Sequence, residues 1–285
     1  MRKIILGIFT LAVPLILTAC AGNQTLEQTK FSIVVTSPEI VPILDELEVD
    51  DVVGIIEMAE LPARYQEVAT IGSAEEVDIT AIMEMEPSII LSSNHYEEAQ
   101  SPLFIERSID SAFANLSTTT EMMQSIRDIG PLIDREEQAN KVVDEFQDFI
   151  KELRNEVAGQ EISTVLILVG DADGYKVANE TSYIGNLVKL SGGLNVFGDE
   201  HEDEYLAISE EEIKEANPDI ILRLPSSDDE AIHEMFANEF SNNEMWASLD
   251  AIENEKVHDL SYRVFGDAPR LDYQEPINQL KDLLN

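Results

Sequence analysis

The sequence predicts an α/β protein of two lobes, each built on a central, mostly parallel sheet, with one long helix joining them. Three observations carry that expectation. Short β-branched apolar runs alternate with longer helical patterns, one helix–proline–strand phrase occurs twice, and a long amphipathic stretch lies between the two copies.

Seven runs read as strands: 32–36, 52–56, 88–92, 112–116, 164–170, 219–224 and 257–260. Most are nearly continuous in apolar residues rather than alternating, as strands covered by helices on both faces must be. The repeated phrase is Ile82-Met83-Glu84-Met85-Glu86-Pro87-Ser88-Ile89-Ile90-Leu91, which returns as Ile213-Lys214-Glu215-Ala216-Asn217-Pro218-Asp219-Ile220-Ile221-Leu222. In each copy proline stops a helix and the apolar run behind it starts a buried strand. A second echo precedes each copy: Leu44-Asp45-Glu46-Leu47 ahead of Val52-Val53, and Leu187-Val188-Lys189-Leu190 ahead of Asn195-Val196. Two phrases in the same order predict two lobes of like construction, over 31–133 and 159–285.

The stretch between them predicts a helix over 134–158. Asp134 is the expected N-cap, with Glu137 three residues on completing a capping box. Ala139, Val142, Val143, Phe146, Phe149, Ile150, Leu153 and Val157 keep one face apolar, and Gly159 supplies the stop. At roughly 1.5 Å per residue such a helix is about 37 Å long, enough to run along both lobes. Two lobes spanned by one stiff helix predict a ligand cleft between them and slight hinging, which is the geometry of a receptor.

The first residues predict where the chain resides. Arg2 and Lys3 precede an apolar stretch from Ile4 to Leu17, broken by Gly7 and Pro14 and ending in Leu17-Thr18-Ala19-Cys20. That stretch is too short and broken for a membrane span, and reads as a signal peptide over 1–19. Cys20 then becomes the lipid-bearing first residue of the mature chain, and 20–30 a small, polar tether. Cys20 is the sole cysteine, so there is no internal disulfide, and acylation accounts for a lone thiol in a secreted protein. Two or more acyl chains anchor stably where one does not, which places the protein on the extracytoplasmic face of a bacterial cell membrane.

With 18 basic and 57 acidic residues, the chain carries a formal charge of −39. No basic patch is visible, which excludes nucleic acid and anionic lipid surfaces as partners. The acidity reads either as a solvated surface suited to high salt or high external pH, or as attraction for a cationic ligand or partner. No nucleophile elbow, zinc signature or phosphate loop is present, so no catalytic residue and no catalytic cofactor are expected.

The densest stretches of motif are Val165-Leu166-Ile167-Leu168, Ser182-Tyr183-Ile184-Gly185-Asn186-Leu187-Val188-Lys189, Gly192-Gly193-Leu194-Asn195-Val196 and Asn217 through Pro225. Leu61-Pro62-Ala63-Arg64-Tyr65 and Phe265-Gly266 join them. In these the chain resembles the helix-linked (class III) substrate-binding proteins of ABC importers for heme, siderophores and cobalamin. Within that group it is most similar to the heme-receptor lipoproteins of Gram-positive iron-regulated surface determinant systems, over nearly all of 31–285. The resemblance implies a monomeric receptor that hands heme or a related iron complex to a permease and its ATPase. A siderophore, corrinoid or cationic solute is the alternative within the same class. A secreted enzyme working through carboxylates such as Glu75 and Asp78, or an adhesin needing no cleft, is the alternative outside it.

In the resembled heme receptors a methionine on the first lobe and a histidine on the second hold the iron. Those positions fall here on Glu75 and Ser226, neither of which is a soft thioether or an imidazole. The resemblance also implies cleft positions at Pro38, Glu39 and Met58. His95 and Tyr96 follow the strand at 88–92, at a carboxyl end where cleft loops emerge. Met58 and His95 are therefore the substitute iron-ligand candidates. Tyr175 and Tyr183 are expected to brace the second lobe. His201, His233 and His258 sit among acids or on helix and strand positions, without the spacing of a metal site. Glu75, Glu76 and Asp78 read as acids at a helix start or as a cleft wall that favours cations and repels heme propionates. For docking, the resemblance places an acid of each lobe against permease arginines. Glu211 fills the second-lobe position, while Thr80 stands at the first, with Glu76 and Glu84 nearby.

Overall fold

Two sheets form where the sequence carries its unbroken apolar runs. The computed structural model describes residues 31–200, 203–266 and 268–284, so Cys20, the expected signal peptide and tether, and His201 lie outside it. The first lobe runs β1 (Ile33–Val35), α1 (Ile40–Glu46), β2 (Val52–Ile55), β3 (Ala69–Thr70), α2 (Ile79–Glu84), β4 (Ile89–Ser93), α3 (Glu97–Glu106), β5 (Ser111–Ala114) and α4 (Thr119–Ile129). Its sheet has the order β3-β2-β1-β4-β5 and is parallel throughout. A long helix, α5 (Glu136–Glu156), follows.

The second lobe begins with β6 (Thr164–Asp171), β7 (Gly174–Ala178), α6 (Tyr183–Leu190), β8 (Leu194–Asn195) and β9 (Tyr205–Leu206). It continues through α7 (Glu210–Ala216), β10 (Ile220–Pro225), α8 (Glu230–Asn242), α9 (Asp250–Glu253), β11 (Val257–Asp259), α10 (Tyr262–Phe265) and α11 (Gln274–Leu284). Its order is β11-β10-β6-β7-β9, with β8 also beside β6. β8, β6, β10 and β11 are parallel, while β7 and β9 add an antiparallel edge.

The sequence repeat has a structural counterpart. β8-β6-β10-β11 repeats β2-β1-β4-β5, and α2 and α7 lead into the matching strands β4 and β10. Ile82 and Ile213 are each fully buried at matching points of those helices. Both helices end through a left-handed residue before the proline, Glu86 (φ 46°) and Asn217 (φ 37°). A side chain just past each proline then receives a backbone N–H at the start of the neighbouring strand, from Ser32 just before β1 and from Thr164 opening β6. Ser32 N–H donates to Ser88 Oγ at 3.1 Å, and Thr164 N–H to Asp219 Oδ2 at 2.8 Å.

Helix α5 is shorter than predicted, 21 residues or about 32 Å. The expected Asp134 cap is not formed. Asp134 sits in the left-handed region (φ 55°, ψ 42°), closing the single turn Gly130–Ile133, and Arg135 takes the cap position. A short polar side chain tolerates that conformation, so the end of one turn claims the residue before the next helix can use it. At the other end Val157 caps the helix, and Gly159 (φ 86°) turns the chain away. Ala139, Val143, Phe146, Ile150 and Leu153 are buried, as the periodicity predicts. They belong to one apolar cluster that runs from Ile33 and Leu44 in the first lobe to Ile167 and Leu280 in the second. Phe146 and Phe149 meet the Tyr273 ring, with centroids 5.0 and 5.6 Å away. The helix is therefore packed along its length rather than spanning solvent.

Two strand readings need correction. The expected strand at 112–116 lies at Ser111–Ala114, because Asn115 and Leu116 are drawn into side-chain hydrogen bonds at the sheet's end. β7 was not anticipated. Asp171 Oδ1 accepts from the N–H groups of Asp173 (2.8 Å) and Gly174 (3.0 Å), making a tight turn that folds β7 back on β6. Among the described residues no helix is long and apolar enough to cross a membrane.

Candidate functional site

The site starts from a problem of unpaired backbone and hydroxyl groups at the carboxyl ends of β1, β4 and β5. Gln100 of α3, 3% exposed, solves most of it. Its Oε1 accepts from Thr36 Oγ1 (2.7 Å) and Ser92 Oγ (2.9 Å), and its Nε2 donates to the carbonyls of Ala74 (2.9 Å) and Thr36 (3.2 Å). Every hydrogen-bonding function of a buried amide is thereby used. Ser93 N–H donates to Ser37 Oγ at 2.9 Å. Asn94 Nδ2 reaches Asn115 Oδ1 and Ser117 Oγ, both at 3.1 Å, while its Oδ1 accepts from Leu116 N–H at 3.1 Å. The loops after the three strands are fixed to one another.

On this floor stand Glu39, which opens α1 without capping it, and the turn Asn94-His95-Tyr96 after β4. Together with Ser93, Leu116 and Ser117 they face Glu204 and Ala268 of the second lobe across a cavity of about 380 Å³. A neighbouring cavity of about 610 Å³ shares Glu39 and Ala268 and continues past Ile43 and Met122 to Tyr262, Arg263 and Arg270. A third, about 500 Å³, belongs to the second lobe alone and includes Gly170, Asp171, Tyr175, Tyr205 and Ser226. The first two constitute the interlobe cleft.

Its charge is uneven. Burial, and then the charges of Glu39 and Glu75, push the Tyr96 phenol above its ordinary value. Burial pushes the Glu204 carboxyl up, and Glu121 of the opposite lobe adds to that. On the other side, Arg270 forks onto Asp272, with Nε to Oδ1 at 2.9 Å, and holds that carboxyl below the usual range. Tyr183, braced in the second lobe as expected, is pushed up to about 12 by burial, partly offset by Arg270.

The structure separates the candidates that the sequence grouped. Pro38 and Glu39 stand at the end of β1, and Glu39 lines both interlobe cavities. His95 is exposed on the wall of the smaller one, edge-on to the Tyr96 ring at 4.8 Å. Glu75 is exposed on the loop before α2, near enough to Tyr96 to act on its phenol. Ser226 lies in the second lobe's own cavity, its N–H donating to Gly170 O at 2.8 Å. Met58 is half-buried against two apolar clusters of the first lobe and lines none of the three cavities. A thioether gains more from that packing than from exposure at a cleft. Met58 and His95 thus line no common cavity. Among the described residues no group of three or more His, Cys, Asp or Glu side chains could hold a metal ion. Asp78 caps α2, accepting from Thr80 and Ala81 N–H at 3.0 Å each. Glu211 is exposed on the first turn of α7, where Ser209 and Glu212 form a capping box.

Ser93, Glu204, Arg263 and Arg270 were not anticipated. Ser93 lies one residue past the predicted strand 88–92, so the rule that ligands gather at carboxyl ends of strands would have found it. Glu204 adjoins a two-residue strand and carries no periodic signal.

Comparisons with known proteins place this geometry. A family model described as periplasmic binding protein matches residues 33–263. The high-affinity heme uptake system protein IsdE of Staphylococcus aureus is 33% identical over 272 residues, covering 94% of this chain and 93% of its own. The crystal structure of an ABC transporter substrate-binding protein from Listeria monocytogenes superposes with a TM-score of 0.77 at 34% identity, covering 89% of this chain and 98% of that one. S. aureus IsdE complexed with heme gives 0.72 at 32% identity, with 90% and 99% covered.

Proposed function

The chain belongs to the periplasmic binding protein family, and from that premise we propose that it is the lipid-anchored receptor of an ABC importer for heme or a related iron complex. It is an extracytoplasmic binding protein and not an enzyme. The observation that carries the reading is the interlobe cleft, with walls from both lobes and a floor that Gln100 holds rigid. Similarity to a heme uptake protein along 94% of the chain supports heme or a close relative as the ligand. Packing of α5 along both lobes supports slight hinging, which suits capture and release at one fixed site.

The finer parts of the proposal rest on individual residues. Lipid on Cys20 holds the receptor at the membrane. Glu211 docks on the permease, and Thr80 is its counterpart, since the repeat that aligns Ile82 with Ile213 also aligns these two, each second in its helix. Glu84, one turn beyond Thr80, supplies the first lobe's acid. For iron, Glu75 and Ser226 do not reproduce a thioether–imidazole pair. His95, on the cavity wall, is the candidate donor.

Titration of the purified protein with hemin tests the reading. A saturable, one-to-one change in the Soret band is expected, and His95→Ala should alter the spectrum. No saturable change would overturn heme as the ligand.

A further inference from the structure

The smaller interlobe cavity holds two polar groups for which the fold supplies no partner. Ser93 is 1% exposed and lines the cavity, and its hydroxyl makes no hydrogen bond. Glu39 Oε2 is likewise buried without a donor. A buried carboxylate oxygen can only accept, so it requires an N–H or O–H from outside the protein's own network. Of the cavity's other donors, Asn94 spends its amide on Asn115 and Ser117, and neither His95 nor Tyr96 reaches Glu39 Oε2.

The charge of the cavity selects among donors. Its lining includes Glu39 and Glu204, no lysine or arginine, and His95 as its one basic side chain. Glu121 and Glu75 add their charges from its edges, acting on Glu204 and Tyr96 respectively. A carboxylate placed here would meet like charge on both walls, whereas an ammonium would meet opposite charge and hydrogen-bond acceptors. The arginines of the cleft, Arg263 and Arg270, line the neighbouring cavity, and Arg270 is held by Asp272.

We propose that this cavity seats an ammonium group of the transported ligand, which donates to Glu39 Oε2 and Ser93 Oγ and lies against Glu204. The inference rests on the receptor reading and narrows it: the transported ligand is an amine-bearing iron complex, related to heme or another chelate, and hemin itself, whose ionisable side groups are carboxylates, is the weaker ligand.

The test compares matched probes on the purified full chain by isothermal titration at neutral pH. One pair is ferrioxamine B, a ferric trihydroxamate with a pendant ammonium, and its N-acetyl form. The other is iron(III) mesoporphyrin with both propionates converted to aminoethyl amides, and the N-acetylated counterpart. Hemin is titrated alongside. In whichever scaffold binds, the ammonium form should bind about ten- to hundredfold more tightly, the range expected for hydrogen bonds to a charged group. Glu39→Gln should bring that ratio close to one, with Ser93→Ala giving a smaller reduction. Because Glu39 caps no helix, its substitution should leave the melting temperature in place. Equal affinity within each pair, or a preference that survives Glu39→Gln, would overturn the inference alone if hemin or either complex binds. Failure of all five complexes to bind would overturn the iron-complex reading with it.

Discussion

Replacing Gln100 by methionine keeps the side chain's length and removes both ends of its amide. Thr36 and Ser92, both fully buried, then hold hydroxyls without their acceptor, and the carbonyls of Ala74 and Thr36 lose a donor. A stranded buried polar group costs about 1–3 kcal/mol. Hydroxyls rotate and recover part of that, so the four together should cost about 3–5 kcal/mol. For a folded unit of this size the unfolding entropy is about 0.5 kcal/mol per degree, which makes the expected fall in Tm about 6–10 °C. Scanning calorimetry reads the shift directly. Ligand affinity should fall as well, because the ends of β1 and β4 that Gln100 ties together lead into Glu39 and Ser93. A Tm within about 2 °C of the parent would refute the claim that this amide holds the floor of the cleft.

Asp219 gives a pH-dependent test. Thr164 donates to it from its hydroxyl and its backbone, and holds its carboxyl below the ordinary 3.8. A depressed acid stabilises the fold above its ordinary pKa and loses that contribution as pH falls through the lowered one. Asp219→Asn should therefore flatten the decline of the urea midpoint below about pH 4, and parallel curves for parent and variant would count against it. Glu211→Arg should reduce uptake in cells while leaving ligand binding in solution intact, since it reverses one charge on an exposed helix turn. Unchanged uptake would remove Glu211 from the docking surface. Cys20→Ala should release the protein or leave it unprocessed, and a mature, acylated, membrane-bound variant would exclude the anchor.

How much of this was legible beforehand depended on the range of the interaction responsible. The seven strand runs lie where strands form, because a strand covered on both faces must be apolar along its length, and that leaves a local signature. The two-lobe plan was readable for a similar reason. The same helix–proline–strand phrase solves the same packing problem twice, down to the left-handed residue before each proline. Asp134 was misread because two local signals compete for it, a preceding turn that needs a left-handed end and a following helix that needs a cap.

The cleft is different. Composition and motif determined by themselves an acidic, two-lobed receptor, and the order in which its loops appear. Only the tertiary structure decided which side chains those loops bring together. It put His95 on the cavity wall, packed half-buried Met58 against the core and left Ser226 in the second lobe's own cavity. It also set Glu39 and Ser93 opposite Glu204, residues more than a hundred positions apart in the chain. No periodicity links such residues, because a hydrogen bond or a like-charge encounter depends on distances of a few ångströms that only the packing of two sheets along one helix fixes.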